Sequence, residues 1–178
     1  MKIRKAIFLA AMIFIATFTA NAQSAAEENK DLDSLYAQKL LKAGTDAPDF
    51  ILPMINNYRI QLSEFRGKYV LLDFWASWCP DCRKDIPAVK ALYEKYGKKV
   101  EFIGVSFDND HDKWAKCIMD NGMKWRQVSE LKRMRESDVA KQFGVQWIPS
   151  MTLIGPDGKV VLSTVVIERM EKALEEIK

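Results

Sequence analysis

The sequence predicts an α/β fold: a central mixed β-sheet flanked by helices on both faces, with a β-hairpin extension on its N-terminal side. Three observations carry that expectation. Tyr69 to Trp75 is an almost unbroken apolar run, the pattern of a strand buried on both faces. Ile86, Val89, Tyr93 and Tyr96 then recur at steps of three and four, which is helical spacing. Val100 to Phe107 is a second apolar strand, and strand, helix and strand in that order form a right-handed parallel unit.

The first 22 residues read differently from the rest. Met1-Lys2-Ile3-Arg4-Lys5 is basic, Ala6 to Phe18 is a run of thirteen mostly apolar residues, and Ala20-Asn21-Ala22 offers small residues two apart. That is the pattern of a secretory signal peptide cleaved after Ala22. The run is shorter than the ~20 residues that cross a bilayer, so stable membrane insertion is not expected. Lys2, Arg4 and Lys5 are three of the 27 basic residues, and the segment holds no acid. The chain beyond it therefore balances 24 basic against 24 acidic residues, which gives no electrostatic case for nucleic acid or an anionic membrane as partner. Export would place the cysteines where disulfides form and persist.

Residues 23–43 read as a leader, polar at first, with a short helix through Leu32, Leu35, Tyr36, Ala37 and Leu40. Phe50 to Leu52 and Ile60 to Leu62 flank Asn56-Asn57, a hairpin signal. Ser63 is placed to cap a single helical turn ending at Gly67. Past the central βαβ unit, Trp114, Cys117 and Ile118 mark the inner face of a second helix ended by Asn121-Gly122. Met123 to Ser129 holds a short strand, and Glu130 to Glu136 reads as a solvated connection. Val139 and Phe143 place a short helix before Gly144. Met151 to Ile154 and Lys159 to Leu162 form a hairpin, and Ile167, Met170, Leu174 and Ile177 line a terminal helix.

Cys79 and Cys82 stand where the main strand hands over to its helix. A helix N-terminus offers unpaired N–H groups and about half a positive charge, which stabilise a thiolate. Two intervening residues put both sulfurs on one face of the first turn, within bridging distance. Pro80 suits the first helical position, where its missing N–H costs nothing. A reversible disulfide is the sharp reading, and a static bridge the bland one. A zinc site would need His111 and Cys117 as further ligands, but Cys117 falls on an apolar helix face, so no metal is expected. Haem attachment is excluded because Arg83, not histidine, follows Cys82. No cofactor is called for.

The stretch Val70 to Cys82 resembles the active-site segment of the thioredoxin superfamily. Gly44-Thr45-Asp46-Ala47-Pro48-Asp49-Phe50, Leu62 to Lys68 and Val145 to Ser150 extend the resemblance to the extracytoplasmic TlpA/ResA-like thiol-disulfide oxidoreductases. It covers residues 44–178 and implies a thioredoxin-like domain over them. Cys79 is expected to be the nucleophile and Cys82 the resolving thiol. Asp73 matches the family's buried acid, with an elevated pKa and a proton-accepting role toward Cys82. Ile148-Pro149 resembles the cis-proline loop, whose backbone would pair with an extended substrate segment. Trp78, Pro80 and Asp81 would complete the substrate-binding surface. Gln146-Trp147 is bulkier than the family pattern there.

The resemblance implies an exported disulfide reductase acting on secreted proteins, apocytochromes among them. Its partners would be protein disulfides or dithiols and an upstream electron donor such as a membrane thiol reductase. An oxidase or isomerase using the same site is the alternative within that chemistry. A protein-binding or holdase domain is the alternative outside it. A peroxiredoxin shares the Gly44 to Phe50 segment but requires Pro and Thr where this chain has Leu72 and Ala76.

Overall fold

The computed structural model describes residues 32–177, so the expected signal peptide lies outside the described residues. Residues 32–36 are helical (α1). A hairpin follows, Ile51–Pro53 (β1) antiparallel to Arg59–Gln61 (β2), with Asn57 at φ 62° in its turn. Then come Tyr69–Trp75 (β3), Pro80–Tyr96 (α2), Val100–Ser106 (β4), His111–Asn121 (α3) and Arg126–Ser129 (β5). Asp138–Phe143 (α4), Ser150–Ile154 (β6), Val160–Thr164 (β7) and Ile167–Glu175 (α5) complete the chain.

The central sheet has the order β5-β4-β3-β6-β7. β4 runs parallel to β3, and β5 to β4, while β6 runs antiparallel to both of its neighbours, β3 and β7. This is the expected mixed sheet. β3 takes the middle because it is the most apolar strand, buried from Val70 through Trp75. Its residues alternate between faces. Asp73 and Trp75 face Cys82, Ile86 and Val89 of α2. Phe74 turns the other way, onto Phe107 at 6.1 Å and onto Phe143 of α4 at 5.6 Å between ring centroids. Phe50, beside the hairpin, packs on the same Phe143.

Three local expectations are corrected. The first helix, expected to run through Leu40, spans only residues 32–36 and gives way to turns before Gly44. The single turn is a 3-10 helix at Leu62–Phe65 that begins after Gln61, not at a Ser63 cap. The Ser63 N–H instead donates to Asp49 (2.9 Å), which also accepts from the Phe50 N–H and the Gln61 side chain. The connection 130–136 is not wholly solvated. The side chain of Glu130 accepts from the Ser137 hydroxyl and from the N–H groups of Asp138 and Val139, satisfying donors at the start of α4.

The segment ahead of Gly44 is stitched to the domain. Ala37 and Leu40 are buried. Asp33 accepts hydrogen bonds from the Thr164 hydroxyl (2.8 Å) and the Val165 N–H (2.8 Å) and pairs with Arg169. Tyr36 stacks on Trp147 at 4.2 Å. Gly144 ends α4 at φ 68°, and a Cβ there would strike the carbonyl oxygen of Lys39. Only glycine meets both requirements.

Candidate active site

Cys79 is itself the N-cap of α2, with extended backbone, and Pro80 occupies the first helical position. The Cys82 N–H donates to the Cys79 sulfur at 3.1 Å. One of the helix's orphan donors is thus aimed at the sulfur expected to carry negative charge. Cys79 and Cys82 are joined in a disulfide, with Cα atoms 5.3 Å apart. Both are buried, Cys79 at 6% exposed and Cys82 at 3%.

The Ile148–Pro149 peptide bond is cis. The Ile148 carbonyl oxygen lies 3.8 Å from the Cys79 sulfur, so this loop and the start of α2 meet at the disulfide. The side chains of Ile148 and Pro149 are buried. Trp78 is half-exposed (52%), its indole N–H 3.4 Å from the Phe107 carbonyl. Pro80 and Asp81 are exposed beside it. The site residues expected from the sequence thus fall on one end of the sheet, around one disulfide.

Beneath the disulfide lies a narrow cleft of about 10 Å³, the scale of a single water molecule. Asp73, Trp75, Cys82, Asp85, Pro149 and Met151 are among its walls. Asp73 is 5% exposed and accepts no hydrogen bond among the described residues. Burial pushes its carboxyl up to about 7, and the Asp85 charge adds to the rise. Trp75 is fixed by its indole N–H, which donates to Gln127 at 3.0 Å. Gly104 permits this: Asp73, Gly104 and Gln127 are aligned across β3, β4 and β5, and a Cβ on the glycine would collide with the Gln127 amide.

Asp85 was not singled out by the sequence. Burial raises its pKa, as do Glu168 and Asp81, while Lys84 opposes them. The available signal was its spacing: three residues after Cys82, it shares the helix face that turns toward the sheet. His111 stands at the start of α3, with Nε2 3.3 Å from the Ile55 carbonyl oxygen, and does not join the cysteines. Cys117 is buried in α3 as a free thiol, the core position expected of it.

Residues 43–163 match the model of the AhpC/TSA family. The thiol-disulfide oxidoreductase ResA of Bacillus thuringiensis subsp. konkukian is 30% identical over 140 residues, 78% of each chain. ResA of Bacillus subtilis is 32% identical over 122 residues, 68% of this chain and 66% of its own. Among solved structures, a thiol-disulfide oxidoreductase from Bacteroides fragilis superposes with a TM-score of 0.70 at 31% identity, covering 74% of this chain and 98% of its own. A thiol:disulfide interchange protein from Bacteroides sp. gives 0.66 at 30% identity, covering 78% and 93%.

Proposed function

We propose, from the premise that this chain belongs to the AhpC/TSA family and is a thiol-disulfide oxidoreductase of the thioredoxin superfamily, that it works as an exported reductase of protein disulfides. The observation that carries the reading is the Cys79–Cys82 disulfide at the cap of α2, with the Cys82 N–H on the Cys79 sulfur.

In the reduced protein the Cys79 thiolate attacks one sulfur of a partner's disulfide. A mixed disulfide forms and the partner's other sulfur leaves as a thiolate. Asp73, ionised in part near neutral pH, takes the Cys82 proton. The Cys82 thiolate then attacks the Cys79 sulfur, releases the partner as a dithiol and restores the Cys79–Cys82 bond. Two electrons pass from this protein to its partner, and a donor dithiol must return them. Asp81, exposed in the first turn of α2, places a negative charge near the Cys79 thiolate, which favours the reducing direction. Trp78, Pro80, Asp81 and the backbone of Ile148-Pro149 form the surface that receives the partner. Export rests on the signal-peptide pattern of residues 1–22, and no helix among the described residues is long and apolar enough to cross a membrane.

Two alternatives are separated by what the site contains. A peroxidatic centre would need Pro and Thr at positions held by Leu72 and Ala76, and both of these are fully buried and offer no hydroxyl to Cys79. A binding or holdase domain would not depend on the cysteines. The experiment is Cys82→Ser in the mature protein. The reductase reading expects partner proteins trapped on Cys79 as mixed disulfides, and Cys79→Ser should trap none. Equal capture by both variants would overturn it.

A further inference from the structure

Asp108 follows β4 and is only 2% exposed, yet no cation neutralises it among the described residues. Its carboxylate instead accepts three hydrogen bonds from neutral donors: the Ser77 N–H at 2.9 Å, the Ser77 hydroxyl at 2.6 Å and the Ser106 hydroxyl at 2.7 Å. Its own N–H donates back to the Ser106 hydroxyl at 3.0 Å. The third polar group of Ser77, its carbonyl, accepts from Arg83 Nη1 at 2.7 Å. Every hydrogen-bonding group of the residue two before Cys79 is therefore held, two of them by one buried carboxylate.

Burying a carboxylate costs several kcal/mol unless its hydrogen bonds offset the loss of water. Here two of the three bonds go to the turn that carries Trp78 and Cys79. The same turn is closed by the Cys79 N–H on the Ala76 carbonyl (3.1 Å) and flanked by the Phe107 N–H on the Trp75 carbonyl (2.9 Å). Trp78 then leans its indole on Phe107, the residue beside Asp108. We infer that Asp108 is a positioning residue for thiol exchange: through Ser77 it fixes the turn that aims the Cys79 sulfur and sets Trp78 beside it. The inference rests on the oxidoreductase reading and adds to it a residue that touches no reacting atom.

Asparagine at this position can keep all three bonds, with its oxygen accepting from the Ser77 N–H and the Ser106 hydroxyl and its amide donating to the Ser77 hydroxyl. Alanine keeps none. The test measures the second-order rate constant of reduced wild type, Asp108→Ala, Asp108→Asn and Ser77→Ala with 5,5′-dithiobis(2-nitrobenzoate), in native buffer and in denaturant, alongside thermal midpoints. Asp108→Ala is expected to react roughly tenfold to a hundredfold more slowly in native buffer. Ser77→Ala should lose about fivefold and Asp108→Asn should recover most of the rate. All four should agree once unfolded. Should Asp108→Ala fail to fold, Ser77→Ala alone carries the test. A folded Asp108→Ala or Ser77→Ala reacting at the wild-type rate would overturn the inference, as would an Asp108→Asn as slow as the alanine variant. A wild-type dithiol that does not react at all would instead count against the oxidoreductase reading.

Discussion

Asp73 on β3 and Asp85 on α2 line the same narrow cleft under Cys82, so two acids from different elements share one poorly hydrated space. Burial raises the pKa of both, and the Asp85 charge adds to the rise at Asp73. In the proposed mechanism this places beside Cys82 a carboxyl whose charge changes near neutrality.

The rate of mixed-disulfide resolution should therefore rise through about pH 7 as Asp73 ionises. Asp73→Asn should remove that rise and slow resolution roughly a hundredfold at pH 7.5. Asp85→Asn, by removing a neighbouring negative charge, should move the midpoint to lower pH without abolishing it. Rapid-mixing kinetics across pH 5 to 9 check both; a wild-type profile with no inflection there would count against Asp73 as the proton acceptor.

The same carboxyl links folding to pH. Its folded pKa lies above its unfolded value of 3.8, so the folded state holds the proton more tightly. The stability this confers is complete below about pH 4 and is lost as pH rises to about 7. The loss amounts to on the order of 4 kcal/mol. Asp73→Asn should match wild type near pH 4 and exceed it at pH 8. Denaturant titrations of both proteins at the two pH values give the difference directly.

Asp33 joins residue 33 to the β7–α5 junction more than 130 positions later. Asp33→Ala should destabilise the protein by about 1–3 kcal/mol, because the Val165 N–H and the Arg169 side chain lose their acceptor. The change should appear as a lower thermal midpoint, with the reduction potential of Cys79–Cys82 unmoved.

Tyr36 and Trp147 expose their stacked rings beside the loop that meets Cys79. Tyr36→Ala and Trp147→Ala should raise KM for an unfolded protein disulfide by about fivefold, the scale of one aromatic contact. The rate with a small soluble disulfide should not change, since the Cys79–Cys82 pair and the Cys82 N–H bond to Cys79 are untouched. Steady-state assays with the two kinds of substrate separate docking from chemistry.

What the sequence made legible was whatever is local or periodic. The apolar run of β3, the spacing of Ile86 and Val89 and the position of Cys79 before Pro80 are all properties of neighbouring residues, and the structure has each of them where expected. Asp85 escaped because a helix read for its apolar face gives no weight to an acid at the edge of that face. Asp108 escaped because Ser77, which takes two of its three bonds, lies 31 residues earlier in the chain. Asp33 reads as one acid among several in a polar leader until the fold brings Thr164 to it. The cis Ile148–Pro149 bond came from the family pattern alone, as nothing in a single X-Pro pair distinguishes it.

The close seating of Lys39 against Gly144 has a mechanical meaning. With backbone packed on backbone and no side chain to yield between them, the strap formed by residues 32–43 cannot slide without prying at the end of α4, three residues ahead of Trp147. A pull on the strap would then load two places at once, the β7–α5 junction through Asp33 and the end of α4 through Lys39.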